Sequence, residues 1–398
     1  MTVDAISSAR RWSILGLALT TTMCATVFIN GVAFLIPTLY RDRGLDLAHA
    51  GLLSSLPSFG MVATLIAWGY LVDRLGERLV LVTGSALTAL ATFGAATASS
   101  ADSLTATGAF LLLGGMAAAS SNSASGRLVV GWFPAHQRGL AMGIRQTAQP
   151  LGVGLGALVI PRLAEHHGIG TALLFPAAVC AVSALACLAG ISDPPRPPRA
   201  DAPAEHLANP YRGSRLLWRI HTISVLLVVP QVMVWTFMLV WLMAERGWTA
   251  GAAGALVTAS QLLGAAGRIG AGRWSDHVGS RLRPVRTIAA AAALAMLALA
   301  VTAWAGSSIS VAIIVLASVI TVSDNGLAFT AIAEIAGPFW SGRALGTQNT
   351  SQHFAAGLAP PLFGTLIGIA GYPLAFAVCA IFPLAALPLV PADPERPG

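Results

Sequence analysis

Inside stretches otherwise built from Ala, Val, Leu, Ile and Gly stand a few ionisable side chains: Arg145, Arg268, Asp324, Glu334 and His353, with Arg127 and His221 nearer the ends. A charge within a membrane-length apolar run costs about 2.5–3.5 kcal/mol on insertion scales, so such groups are functional candidates by default. Asp324 is a carboxylate that can take up and release a proton, which a proton-coupling device requires; the alternative is a static ion pair with an arginine. Imidazole is the side chain suited to relaying protons near neutral pH, so His353 can do so, or it packs through hydrogen bonds. Arg145, beside Gln146 and Gln149, offers an anion site; alternatively it pairs with a helix C-terminus or with Asp324. Arg268 is expected to snorkel and pair with Asp276. Glu334 and Arg127 are expected to pair with neighbouring loops. A neutral polar set completes the candidates for substrate contact: Asn30, Asn122, Gln149, Trp235 and Asn325 beside Arg145. Trp235 and Trp241 can stack on a ligand or anchor a helix at the membrane surface.

Charged loops punctuate the apolar runs. The sharpest is Gly69-Tyr70-Leu71-Val72-Asp73-Arg74-Leu75-Gly76-Glu77-Arg78. Glycine lets the chain turn and helix ends approach. Asp73 can accept from arginines or from the N-terminus of a neighbouring helix. A degraded copy, Gly272-Arg273-Trp274-Ser275-Asp276-His277-Val278-Gly279-Ser280-Arg281, follows 203 residues later, with His277 in place of the first arginine.

These decapeptides resemble the loop signature of the major facilitator superfamily: Gly, three residues, Asp-Arg, one residue, Gly, one residue, Arg. The first copy matches at Gly69, Asp73, Arg74, Gly76 and Arg78, the second at Gly272, Asp276, Gly279 and Arg281. The resemblance implies a latch on the inner face, to which Arg268 is added here, and two six-helix bundles around a central cavity. It implies secondary transport. The drug-antiporter branch carries Gly-Pro-x-x-Gly-Gly in its fifth helix; here the corresponding place reads Gln149-Pro150-Leu151-Gly152-Val153-Gly154, a departure from it.

The composition agrees with a membrane location. Of 398 residues, 56% are hydrophobic and 10% charged, against about 25% charged in soluble domains. The net charge of +7 comes from arginine alone, and the arginines fall in short loops, which marks topology determinants rather than a nucleic-acid stripe. The cysteines Cys24, Cys180, Cys187 and Cys379 lie in apolar runs, with no CxxC pair and scattered histidines; a disulfide framework or metal site is not expected. No phosphate loop or cofactor motif is present.

A span needs about 20 apolar residues. Twelve are read, over about 12–39, 47–72, 78–99, 103–131, 139–162, 169–190, 217–243, 250–273, 285–305, 308–332, 343–369 and 372–391. With both termini inside, 17 arginines fall on the inner side and four outside, at Arg41, Arg43, Arg162 and Arg246; the bias sets the orientation. The segment 191–216 carries Pro194, Pro195, Pro197, Pro198, Pro203 and Pro210 with Arg196, Arg199, Arg212 and Arg215, and reads as an extended cytoplasmic linker. It divides residues 1–190 from 217–398. The halves repeat: Asp73 and Asp276, and Asn122 and Asn325, share the offset of 203. Same-orientation repeats imply bundles related by an axis along the membrane normal.

The expectation is an all-α integral membrane protein of the cytoplasmic membrane, a monomer in the lipid bilayer. It moves a small molecule by alternating access, driven by protons, and Arg145 points to an organic anion. A proton-driven multidrug exporter is the alternative within the class. A polytopic enzyme acting on a lipid-linked substrate is the alternative outside it, and would need clustered acids or histidines.

Overall fold

A computed structural model describes residues 6–36, 38–39, 47–195 and 202–391. Arg41, Arg43, Arg196, Pro197, Pro198 and Arg199 lie outside the described residues. Among the described residues every regular element is helical. Apart from single turns, the helices are α1 Ser8–Gly31, α2 Leu47–Leu75, α3 Glu77–Ser100, α4 Leu104–Ala118, α5 Ser120–Trp132, α6 Arg138–Gln146, α7 Ala148–Gly190, α8 Leu216–Ala244, α9 Ala250–Val278, α10 Leu282–Trp304, α11 Ile309–Ile320, α12 Asn325–Ala336, α13 Ser341–Cys379 and α14 Ile381–Ala386.

Small residues contribute much of the buried helix surface. On α3 the buried face carries Gly84, Ser85, Thr88, Ala89, Thr92, Ala95 and Ala96, while Leu79, Leu87, Leu90 and Phe93 are exposed. Water would drive the large residues inward. In lipid, small residues let helices approach and large apolar ones face the chains. The buried hydroxyls are satisfied locally: Thr88 donates to Gly84 O at 2.8 Å and Thr92 to Thr88 O at 2.6 Å.

Nine helical segments among the described residues are long and apolar enough to cross a membrane. Two of them, Ala135–Gly190 and Ser341–Leu389, run to 56 and 49 residues. Each is broken by a glycine with positive φ, Gly168 at 82° and Gly371 at 77°, and these glycines are 203 residues apart. α9, with 29 residues, is not among the nine.

The run expected as one span over 308–332 is interrupted: α11 ends at Ile320, residues 321–324 form turns, and α12 begins at Asn325. Hydroxyls compete for the carbonyls there. Ser318 donates to Val315 O at 2.8 Å, Thr321 to Ala317 O at 2.8 Å and Ser323 to Val319 O at 2.7 Å. Such back-bonding bends helices. The same device parts α4 from α5 at Ala119, where Ser121 donates to Ala118 O at 3.0 Å.

The chain packs as two compact units. The first comprises Met1–Phe133, Thr147–Ala208 and Ala336–Thr350; the second comprises Pro134–Gln146, Asn209–Ile335 and Ser351–Gly398. The first therefore includes the start of α13, and the second includes α6. The first unit's core gathers Phe28, Leu35, Met61, Leu65, Leu111 and Leu173. The second unit's core centres on Met233, Met238, Trp241, Met296, Leu299 and Phe376. Trp241 meets Phe376 edge-on with centroids 6.1 Å apart and is 1% exposed, which makes it a core residue.

Candidate functional site

In the first unit, Asp73 at the end of α2 holds the first turn of α13. Its carboxylate accepts from Gly342 N at 2.8 Å and Arg343 N at 3.0 Å. These are orphan donors at a helix N-terminus, where an anion is favoured. Two arginines complete the shell: Arg343 Nε donates at 2.9 Å and Arg127 Nη1 at 2.9 Å. Arg127 also sets its Nε 2.9 Å from Glu77 Oε1 and donates to Pro338 O at 2.9 Å. Asp73, Glu77 and Arg127 are all at most 4% exposed. Removing one partner from such a buried group typically costs about 3–5 kcal/mol. The approach is close because Gly342 faces Gly69; a Cβ on Gly342 would run into Gly69 O and stand 2.7 Å from Asp73 Oδ1.

The second unit repeats the arrangement. Asp276 accepts from Gly139 N at 2.9 Å and Leu140 N at 2.8 Å in the first turn of α6. Arg281 Nη1 donates to Asp276 at 2.6 Å, and Glu334 bridges Arg281 and Arg138 at 3.2 Å each. For Arg281, burial pulls the pKa down, but hydrogen bonds and charge from Glu334 and Asp276 outweigh it, so the net shift is upward. Gly139 here abuts Gly272. The glycines Gly139 and Gly143 on α6, and Gly342 and Gly346 on α13, form two small-xxx-small faces, again 203 residues apart.

The interior of the second unit holds a different cluster. Arg145 and Arg268 are 2% and 3% exposed, and Asp324 is 2% exposed. Gln146 serves both arginines: its Oε1 accepts from Arg145 Nη1 at 2.9 Å, and its backbone O accepts from Arg268 Nη1 at 3.1 Å. The Arg268 guanidinium lies over the Trp235 ring, 5.8 Å from the centroid, and interacts electrostatically with Asp324. Asn325 donates to Gln231 Oε1 at 2.9 Å and accepts from Gln352 Nε2 at 3.3 Å. This amide chain ties α8, α12 and α13 together at the helix break.

The Major Facilitator Superfamily model matches residues 18–360 and 233–398. The chain belongs to the Major Facilitator Superfamily. It is 58% identical over 398 residues to an uncharacterised MFS-type transporter of Mycobacterium tuberculosis, covering all of this chain and 88% of that one. Over 154 residues, 38% of this chain and 34% of the relative, it is 28% identical to the 4-hydroxybenzoate transporter of Pseudomonas aeruginosa. Its fold matches the E. coli fucose:proton symporter with a TM-score of 0.75 at 17% identity, over 94% of this chain and 97% of that one. It is a multi-pass membrane transporter, not an enzyme.

Several expected site residues of this MFS protein meet and others do not. Asp324, Asn325, Trp235 and Arg268 meet within the second unit. Arg145 joins them through Gln146, and His353 lies partly buried on α13. Asn30, Asn122 and Gln149 belong to the first unit. There Asn30 donates to Thr26 O at 3.4 Å, Asn122 contacts Met61 Sδ at 3.6 Å, and Gln149 is exposed. One pairing is corrected: Arg268 does not reach Asp276, whose partners are Arg281 and the first turn of α6. Arg268 points into the unit because Gln146 O and the Trp235 face receive it. Arg74 and Arg78 also stand away from Asp73: Arg74 covers the Tyr70 ring at 4.9 Å, and Arg78 donates to Leu188 O at 2.6 Å. Gly76 supplies the positive φ of 97° at the turn into α3. Glu77 and Arg343 belong to the first cluster in addition to the residues expected there. The repeated Gly-xxx-Gly spacing at 342–346 and 139–143 was the available signal for which helix starts the two aspartates hold.

Proposed function

We propose that this protein is a proton-driven secondary transporter of a small organic anion, working by alternating access. The observation that carries the reading is the charge inventory of the second unit's interior. Among the described residues its buried charges are two arginines, Arg145 and Arg268, against one carboxylate, Asp324. Charge taken out of water favours opposite charge nearby, and an interior with this positive balance suits an anionic substrate. The 4-hydroxybenzoate relative, whose named cargo is a carboxylate, supports an anion.

Proton coupling follows from competition. Ionised Asp324 neutralises Arg268; protonated Asp324 leaves the guanidinium to a substrate carboxylate. Proton and anion then bind together and travel together. His353 is the second proton candidate. Arg145, Trp235 and Asn325 are the proposed substrate contacts of the second unit, and Asn30, Asn122 and Gln149 are those proposed for the first. The Asp73 and Asp276 clusters act as latches on helix starts, released and remade during turnover.

The same reading takes twelve spans in two six-span halves, residues 1–190 and 217–398. The two long segments each cross twice about Gly168 and Gly371, and α9 adds a crossing. Both termini and the 191–216 linker face the cytoplasm of the cell membrane, and the monomer is the working unit. The test is reconstitution into proteoliposomes with radiolabelled acetate, succinate, benzoate and 4-hydroxybenzoate, with and without a pH gradient. Net movement of at least one anion driven by the gradient and abolished by a protonophore is expected. Movement of none, or movement indifferent to pH, overturns the reading.

A further inference from the structure

Arg268 is buried with its guanidinium only partly satisfied. Its Nη1 donates to Gln146 O at 3.1 Å, while its buried Nε has no hydrogen-bond partner. Among the described residues Asp324 interacts with this guanidinium electrostatically. Nε and Nη2 form the edge that a carboxylate grips with two parallel N–H···O bonds. A buried Nε–H left without an acceptor among the described residues is costly, and a ligand oxygen would satisfy it.

The walls beside that edge are informative. On one side lies the half-buried Trp235 indole, already under the guanidinium. A flat ring joined to a carboxylate on Arg268 reaches the indole; a flexible aliphatic chain gains little there. Trp has the strongest ring face of the side chains for stacking and cation contacts.

We infer that the Arg268–Trp235 pair is the binding site for a planar aromatic monocarboxylate, its carboxylate on the Nε–Nη2 edge and its ring stacked on Trp235. The inference rests on the organic-anion reading above and narrows it. It assigns the anion to Arg268, whose Nε is a buried guanidinium nitrogen without an acceptor among the described residues, rather than to Arg145.

The test is equilibrium binding to purified protein in nanodiscs, read by calorimetry, with benzoate, cyclohexanecarboxylate and benzamide. Benzoate and cyclohexanecarboxylate share charge and approximate size; only one has a π face. Benzoate is expected to bind about tenfold tighter than cyclohexanecarboxylate, the scale of a stacking contact, and benzamide is expected not to bind. Trp235→Ala is expected to erase the benzoate preference and Trp235→Phe to keep most of it. Arg268→Lys keeps the charge but not the fork and is expected to weaken benzoate about tenfold or more while the protein stays folded by its melting curve. Equal binding of the two acids, or a preference untouched in Trp235→Ala, overturns the aromatic assignment and leaves the organic-anion reading standing. Unchanged benzoate affinity in Arg268→Lys, with loss in Arg145→Lys, moves the seat to Arg145 and overturns the inference. Absence of binding by any acid, together with failed transport of the anion panel, overturns both.

Discussion

Asp73 accepts the backbone N–H of Gly342 at 2.8 Å across 269 residues of sequence. The bond ties the end of α2 to the first turn of α13 and brings Arg127 and Arg343 onto the same carboxylate. A single acid therefore satisfies a helix start and two guanidinium groups at once. Asp73→Ala leaves all three short of a partner. It is expected to cost about 3–5 kcal/mol, read as a lower melting temperature in detergent, and to abolish transport while membrane insertion persists. Wild-type rates in a normally expressed variant would remove this cluster from the transport cycle.

The close approach at that point depends on glycine. Gly342→Ala places a methyl against Gly69 O and the Asp73 carboxylate, and both belong to packed helix ends. Overpacking of this kind costs about 1–3 kcal/mol. Gly154→Ala is the control: nothing lies within 4 Å of the added carbon, and alanine is the better helix former by about 1 kcal/mol. Melting curves of the two variants are expected to fall on opposite sides of wild type. A neutral Gly342→Ala would mean that α13 can back away from α2.

The orientation rests on arginine placement, so it is tested at the linker. Cys24, Cys180, Cys187 and Cys379 are all buried, and a background with these replaced gives a clean reporter. A cysteine at Ala202 is expected to resist a membrane-impermeant maleimide in intact cells and to label fully after lysis. Labelling from outside would invert the proposed topology.

Much of the fold was legible because its signals are local in sequence. The decapeptides at 69–78 and 272–281, the apolar runs and the 203-residue offset all survive without knowing what touches what. The partners of the aspartates were less legible. Arg127 and Arg343 come to Asp73 from 54 and 270 residues away, and only packing decides that Arg74, next in sequence, goes to Tyr70 instead. Arg268 illustrates the limit. Its position one turn before the second decapeptide suggested Asp276, yet α9 turns that side chain toward Trp235 and Asp324. The break at 321–324 was not legible in the apolar run over 308–332; Ser318, Thr321 and Ser323 lie there, and their hydroxyls bond to carbonyls of the preceding turn.

The last prediction concerns Asp324, which is the buried carboxylate of the second unit and stands against Arg268. In the competition scheme its ionised form occupies the guanidinium electrostatically, and its protonated form yields that charge to the substrate. Asp324→Asn mimics the protonated state permanently, with the same shape and hydrogen-bonding capacity. Arg268 is then open to substrate in every conformation. Substrate binding is expected to persist and to lose its pH dependence. Exchange of labelled for unlabelled substrate needs no net proton movement and is expected to survive in part. Accumulation against a gradient is expected to vanish, because nothing is left to carry the proton. A static ion pair gives a different pattern: the same change strands Arg268, costs about 3–5 kcal/mol, and removes exchange and accumulation together with poorer expression. Proton-driven accumulation unchanged in the Asn variant would exclude Asp324 as an obligatory carrier and pass the role to His353.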